Sequence, residues 1–152
     1  MGEWVALLGG AAVLVSLVAL PWYDAAASFT PLSGAGTSLT GFEAFGVLDV
    51  VLAAVALIPF ALVFAQVTRD DPTWPVALAI ACVVTGAVAV LLIAYRMLNQ
   101  PGPNELIEVA WGAWAGLAGA LLITLGGWRS LADEHVEGLP PGPEPELRPP
   151  PA

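Results

Sequence analysis

The sequence predicts an all-α fold, in which an integral membrane four-helix transmembrane bundle is followed by a disordered, Pro-rich C-terminal tail. Composition is the first basis for this prediction, because 58% of the 152 residues are hydrophobic and only 11% are charged. Soluble domains contain roughly 45–50% apolar and about 25% charged residues. At a mean hydropathy of +0.81, the chain has too little polar material to cover a water-soluble domain of its size. The other two observations are four long apolar segments and aromatic residues near their ends.

Each of the apolar segments is long enough to cross a bilayer as a helix. The first is the shortest and covers about 26 Å, which just crosses a hydrocarbon core of roughly 30 Å. The predicted spans are residues 4–20, 42–66, 74–98 and 105–128. Together they form one bundle over residues 1–130, and residues 131–152 form the tail.

Local signals place the boundaries of the first two spans. Pro21 ends the first span, and residues 21–40 are rich in Ser, Thr, Gly and Ala, which predicts a loop. Thr40 and Glu43 have the spacing of a capping box, which starts the second span. Pro59 inside that span has no N–H to donate, so we expect a kink in the preceding turn.

Proline also delimits the second half of the chain. Asp71 followed by Pro72 is typical of a helix N-cap and first helical residue, and it starts the third span. Residues 99–103 break that span, and Asn104 can cap the last one. The tail contains a run of prolines interleaved with acidic residues, a composition that predicts a disordered or polyproline-like segment.

The four arginines are the only Lys or Arg residues of the chain, and their positions predict its orientation. Arg69 lies between the second and third spans, and Arg129 follows the fourth. Only Arg96 lies at the opposite side. The positive-inside rule therefore places both termini in the cytoplasm.

An alternative for the first span is a cleaved secretory signal, since residues 25–27 offer an A-x-A-like cleavage site. Against it, the segment before the apolar run contains Glu3 and no Lys or Arg, and the run is longer than the apolar core of a typical signal. We therefore expect the first span to be retained.

Asp49 and Arg96 lie within the predicted spans, at similar depth near the outer side. A carboxylate at such a position costs roughly 2.5–3.5 kcal/mol on insertion scales unless it is paired or protonated. Both residues share a helix face with small residues, so we expect them to face the bundle and to approach each other. Two interpretations remain open. The pair is either a buried ion pair that fixes helix register, or a gate, proton site or substrate anchor.

Small residues on the last span predict close helix packing. Gly112 and Gly116 form a GxxxG pattern, and Gly119 extends the stripe. Such residues let helix backbones approach each other. We expect them to serve packing within the chain more than a dedicated oligomer seam.

Several chemistries are excluded by composition. A net charge of −9 offers no surface for nucleic acid. Cys82 is the only Cys and His135 the only His, which excludes the usual zinc centres, and because His135 lies in the tail we expect no Ser-His catalytic pair. Carboxylates on the predicted outer side could hold a calcium or magnesium ion, but their spacing matches no known loop, so we interpret them as solvated caps and helix-dipole partners. Besides Asp49 they are Asp24, Glu43, Glu105 and Glu108. We therefore expect no metal, no cofactor and no enzymatic activity.

Four short segments of the chain carry a family resemblance. They are Leu20-Pro21-Trp22-Tyr23, Gly41-Phe42-Glu43-Ala44-Phe45, Arg96-Met97-Leu98-Asn99-Gln100-Pro101-Gly102 and Gly112-Ala113-Trp114. In this order they resemble small, uncharacterised four-span membrane proteins of actinobacterial type, over the whole chain except the tail. Phe42 stands where such proteins often have Trp. The resemblance implies a four-span layout in a bacterial cytoplasmic membrane, and it implies no activity.

We therefore expect a non-enzymatic membrane protein, an accessory or scaffold component that binds partner membrane proteins or lipids of the bilayer. The alternative is a transporter or channel for a small ion or solute, with Asp49 as the cation or proton site and Arg96 as its counter-ion. Four helices leave little room for a pathway inside one copy, so the alternative requires a homo-oligomer.

Overall fold

The computed structural model describes residues 1–25, 38–44, 46–68, 73–100 and 107–136. Four long helices and one short helix alternate with three short strands over these residues. The elements are α1 (Gly2–Ala19), β1 (Pro21–Ala25), β2 (Ser38–Thr40), α2 (Gly41–Ala44), α3 (Val47–Thr68), α4 (Thr73–Leu98), β3 (Ile107–Val109) and α5 (Trp111–Val136). The predicted turn at Asp71-Pro72 and the predicted cap at Asn104 lie outside the described residues.

The mostly helical architecture predicted from the sequence is confirmed, and α1, α3, α4 and α5 are each long and apolar enough to cross a membrane. The second span differs from its predicted start at residue 42. The Glu43 carboxylate accepts from the Thr40 N–H as in a capping box, but this contact precedes only the four-residue helix α2. Helix α3 begins at Val47 after a bend at Gly46. Pro59 lies buried inside α3.

The fourth long helix differs most from its predicted bounds. Residues 107–109 were expected to be helical and instead form β3, because their backbone pairs with β1. The helix α5 therefore begins at Trp111 and continues to Val136, beyond the predicted end at residue 128. The first part of the predicted tail is thus helical, and residues 137–152 lie outside the described residues.

A three-stranded antiparallel sheet adds to the predicted helices, and it corrects the loop prediction at Pro21–Ala25 and Ser38–Thr40, which are strands. The rest of that predicted loop lies outside the described residues. The strand order is β2-β1-β3. Tyr23 pairs with Leu39 on one side and with Val109 on the other, and a register irregularity separates Pro21 from Tyr23. We call this sheet, with the adjoining helix ends, the sheet end of the bundle. The opposite end, where Met1 and the end of α5 meet, is the terminal end.

An exposed ion pair links α1 and α5 at the terminal end. The α-ammonium group of Met1 donates a hydrogen bond to Glu3 at 2.9 Å and lies 3.5 Å from the Asp133 carboxylate. These contacts raise the pKa of the amino group, the Glu3 bond being the largest cause. The start of α1 and the last turns of α5 therefore lie together, and the two helices run antiparallel.

Helices α1 and α5 pack through buried small residues that recur every seven positions. They are Gly2 and Gly9 on α1, and Gly119 and Gly126 on α5. A Cβ added to Gly9 would lie 2.6 Å from the Gly119 carbonyl oxygen, so the two backbones are in direct contact. Small residues at a seven-residue spacing are typical of closely packed helices in membranes and in coiled coils.

A similar seam joins α4 to α5. A Cβ on Gly127 would meet the Cys82 side chain at 2.8 Å and the Ala79 carbonyl at 2.9 Å. A Cβ on Gly86 would lie 2.6 Å from the Thr124 hydroxyl. Helix α5 is therefore held on two sides by small-residue contacts, and it is the central element of the bundle.

Candidate functional site at the sheet end

The indole of Trp22 anchors the sheet to the bundle. Its Nε1–H donates a hydrogen bond to the Ser16 carbonyl at 2.8 Å, in the last turn of α1. The ring is fully buried. Glycines surround it, since a Cβ on Gly116 would lie 2.7 Å from the ring and a Cβ on Gly41 would lie 3.2 Å from Nε1. Bulkier residues at these positions would expel the indole.

Tyr23 provides a second link from β1 to a helix end. Its hydroxyl donates a hydrogen bond to the Arg96 carbonyl at 2.9 Å, in the last turn of α4. Burial raises the pKa of this hydroxyl above its usual range, and the Arg96 charge opposes part of that rise. Because neighbouring residues of β1 hold α1 and α4, the strand fixes the relative position of the two helices at this end.

Asp49 lies in the first turn of α3 and is 3% exposed. Within the described part of the chain, its Oδ1 atom has no hydrogen-bond partner. The Arg96 guanidinium is close enough to interact electrostatically with the Asp49 carboxyl and the Tyr23 hydroxyl. The N-terminal turn of α3 also favours negative charge. The structure thus brings Asp49 and Arg96 into one electrostatic environment at the sheet end.

The capping box adds a third acidic residue at this end. The backbone N–H and the hydroxyl of Thr40 both donate to the Glu43 carboxylate, at 2.9 and 3.0 Å. These bonds lower the pKa of Glu43, which is solvent-exposed. Glu43 therefore serves the junction between β2 and α2.

An open cleft of about 520 Å³ lies where β1 and β3 meet the start of α5. Its walls contain two carboxylates and two indoles, with backbone between them. The lining residues are Asp24, Glu108, Val109, Ala110, Trp111 and Trp114. Asp24 and Glu108 are direct partners in the β1–β3 register. Trp111 and Trp114 are 82% and 55% exposed.

The glycines predicted for helix packing have distinct roles. Gly119 lies against the backbone of Gly9 and against Val13 on α1. Gly112 lies against the Pro21 carbonyl and the Trp22 ring, and Gly116 also contacts that ring. Two of the three therefore accommodate the sheet anchor. The seven-residue repeat, which the GxxxG pattern conceals, is the sequence signal for the seam between α1 and α5.

The sequence places Asp24 and Glu108 on the same predicted side of the membrane, but the cleft itself depends on strand pairing between residues far apart in the chain. Among the described residues, no group of three or more His, Cys, Asp or Glu side chains is placed to hold a metal ion. No known family model matches the chain, and no curated protein matches it significantly. The arrangement of these residues is therefore the basis for any functional conclusion.

Proposed function

We propose that this chain is a small, non-enzymatic integral membrane protein of a bacterial cytoplasmic membrane, an accessory or scaffold component that binds other membrane proteins or lipids. The observation that carries the proposal is the distribution of side-chain size. Large apolar side chains cover the outside of the helices, and small residues fill much of the inside. A water-soluble bundle has the opposite distribution.

Every long helix exposes large apolar side chains on its outside. Leu8 on α1 is 67% exposed, Phe64 on α3 is 71%, Leu91 on α4 is 70% and Leu125 on α5 is 61%. Soluble monomers rarely expose contiguous apolar patches larger than a few hundred Å². In a hydrocarbon environment, exposed apolar side chains are solvated by lipid. Because burial of apolar surface then no longer drives helix association, close backbone packing through glycine becomes the main way to hold helices together.

The proposed orientation has the terminal end in the cytoplasm. Arg129 lies at that end and is exposed, as the positive-inside rule requires. The sheet end, with Arg96, then faces outward. Trp111 and Trp114 would lie at the outer interface, and Trp4 and Trp128 at the inner one, where amphipathic indoles are favoured.

A second candidate function is supported by one observation. The Oδ1 atom of Asp49 is buried and lacks a hydrogen-bond partner within the described part of the chain. Such a carboxylate can hold a proton or a cation, as in an oligomeric transporter or channel with Arg96 as counter-ion. This candidate needs a second copy of the chain to complete a pathway.

Purification from native membranes in mild detergent distinguishes the two functions. The accessory role predicts a second membrane protein in constant stoichiometry, or a lipid retained through purification, identified by mass spectrometry. The transport role predicts a homo-oligomer with ion flux in proteoliposomes that Asp49→Asn abolishes. A monomer with neither partner nor retained lipid would contradict the accessory role.

The roles of Asp49 and Arg96 are tested by paired variants. If the two charges stabilise the bundle, Asp49→Asn and Arg96→Gln should each lower the folded yield. Replacing both with an apolar pair should then restore much of it, because no uncompensated buried charge remains. Asp133→Asn is the matched control, since this carboxylate is half-exposed at the other end and its contact with the exposed Met1 ammonium contributes little to stability. Normal folding of every variant, with loss of a cation-dependent activity, would support transport instead.

A further inference from the structure

We propose that the cleft at the start of α5 binds an organic ammonium group, the chemistry of a lipid amine headgroup or of a soluble quaternary amine. The proposed membrane orientation bears only on where the ligand comes from, and the chemistry of binding does not depend on it. Its chemical basis is the combination of two carboxylates with two exposed indoles in one open cleft of about 520 Å³.

The pairing of β1 with β3 places Asp24 and Glu108 opposite each other in the sheet. Asp24 and Glu108 are register partners in an antiparallel pair, and directly opposed residues have Cβ atoms about 4.5–5.5 Å apart on the same face. Like charges in this position are destabilising by themselves. A cation between them removes that repulsion, so the sheet places two negative charges where a positive ligand is favoured.

The chain supplies little positive charge to this cleft. It contains no Lys and four Arg, and the residues next to β1 and β3 in the sequence, 26–37 and 101–106, include neither residue type. Arg96 lies on the side of β1 that carries Tyr23. The cation that neutralises Asp24 and Glu108 is therefore most simply external.

The indoles select the kind of cation. Trp111 and Trp114 are three residues apart in the first turn of α5, so they lie on one helix face. An ammonium group over an indole is attracted by the ring quadrupole, most strongly when the group carries alkyl substituents and little water. A small hydrated metal ion gains less from such rings and prefers several oxygen ligands. Two carboxylates with two indoles therefore favour an organic ammonium over a metal.

The test uses tetramethylammonium chloride and the full chain in a maltoside detergent, with binding measured by calorimetry against sodium chloride of equal ionic strength. We expect a saturable, one-site isotherm. Asp24→Asn and Trp114→Ala should each weaken the affinity by about tenfold or more. Trp128→Ala is the matched control, because this indole is 67% exposed at the terminal end, and it should bind as the unchanged chain does.

A second arm identifies the source of the ammonium group. The chain is incorporated into nanodiscs that contain phosphatidylethanolamine and phosphatidylglycerol in equal amounts, and retained lipids are measured by native mass spectrometry. Enrichment of the amine lipid, lost in Asp24→Asn, assigns the site to a lipid headgroup. Tetramethylammonium binding without lipid enrichment assigns it to a soluble amine, and both results support the site.

Three results would overturn the proposal. They are the absence of saturable binding, equal binding by the Asp24 and Trp114 variants, and calcium binding that displaces tetramethylammonium but is unaffected by Trp114→Ala. Circular dichroism of each variant excludes misfolding, and Glu108→Gln provides a second carboxylate variant if Asp24→Asn does not fold. Membrane fractionation of the same cells separates a failure of this proposal from a failure of the proposed function.

Discussion

The contact between α1 and α5 predicts that one methyl group will weaken the bundle. In Gly9→Ala, the new Cβ would lie 2.6 Å from the Gly119 carbonyl oxygen and 2.6 Å from the Ile123 nitrogen. Ordinary van der Waals contact begins at 3.4 Å. Both obstructing atoms belong to the backbone, so the helices must separate. Overpacking of this kind costs about 1–3 kcal/mol, offset by up to about 1 kcal/mol of helix propensity gained by Ala over Gly.

The net expectation is a loss of about 1–2 kcal/mol in the free energy of unfolding, measured by titrating the detergent-solubilised chain with sodium dodecyl sulfate and following helicity. Gly46→Ala is the matched control, because no atom lies within 4 Å of its added Cβ, and it should stay within about 0.5 kcal/mol. Adding Gly119→Ala to Gly9→Ala should cost less than the sum of the two, because the helices are already apart. Full stability of Gly9→Ala would refute the packing argument.

Two further predictions concern the links from β1 to the helix ends. Trp22→Phe keeps a large ring but loses the indole hydrogen bond to the Ser16 carbonyl, so it should cost about 1 kcal/mol in the same titration. Trp128→Phe at an exposed position should be nearly neutral. Burial raises the pKa of Tyr23 in the folded chain. The contribution of its hydroxyl to the free energy of unfolding should therefore be complete below the pKa of the unfolded chain, about 10, and should fall as the pH rises through the higher pKa of the folded chain. Tyr23→Phe also loses the hydrogen bond to the Arg96 carbonyl, so it should be less stable at neutral pH. Its free energy of unfolding should not show the decrease at alkaline pH that Tyr23 causes. An alkaline profile unchanged by Tyr23→Phe would contradict the assignment.

The long helices could be predicted from the sequence because their signal is local. An apolar run of sufficient length predicts a helix whatever its neighbours are, and Thr40 with Glu43 correctly predicted a capping interaction. The sheet could not be predicted in this way. Strands β2 and β3 have three residues each and become strands only by pairing with β1, which lies far from β3 in the chain. The same pairing ends the helical pattern before Trp111.

The residues of the candidate site also differ in whether the local sequence identifies them. Asp49 attracts attention in the sequence because a carboxylate inside an apolar segment is costly, and the structure places it buried in α3. The cleft gives no such signal, since the sequence predicts a loop at Asp24 and the start of a helix at Glu108. Their opposition exists only in the register of β1 with β3. The role of Gly116 was also hidden, because its neighbour is the Trp22 ring and not another helix.

The central claim is a bundle that crosses the membrane with its sheet end outside, and cysteine labelling in intact cells tests it most directly. In a Cys82→Ala background, Ser38→Cys places an exposed thiol in β2 and Ala132→Cys places one near the end of α5. The account predicts that a membrane-impermeant thiol reagent labels Ser38→Cys in intact cells and labels Ala132→Cys only after lysis. The reverse pattern would contradict the orientation, and recovery of either protein in the soluble fraction would contradict membrane insertion itself.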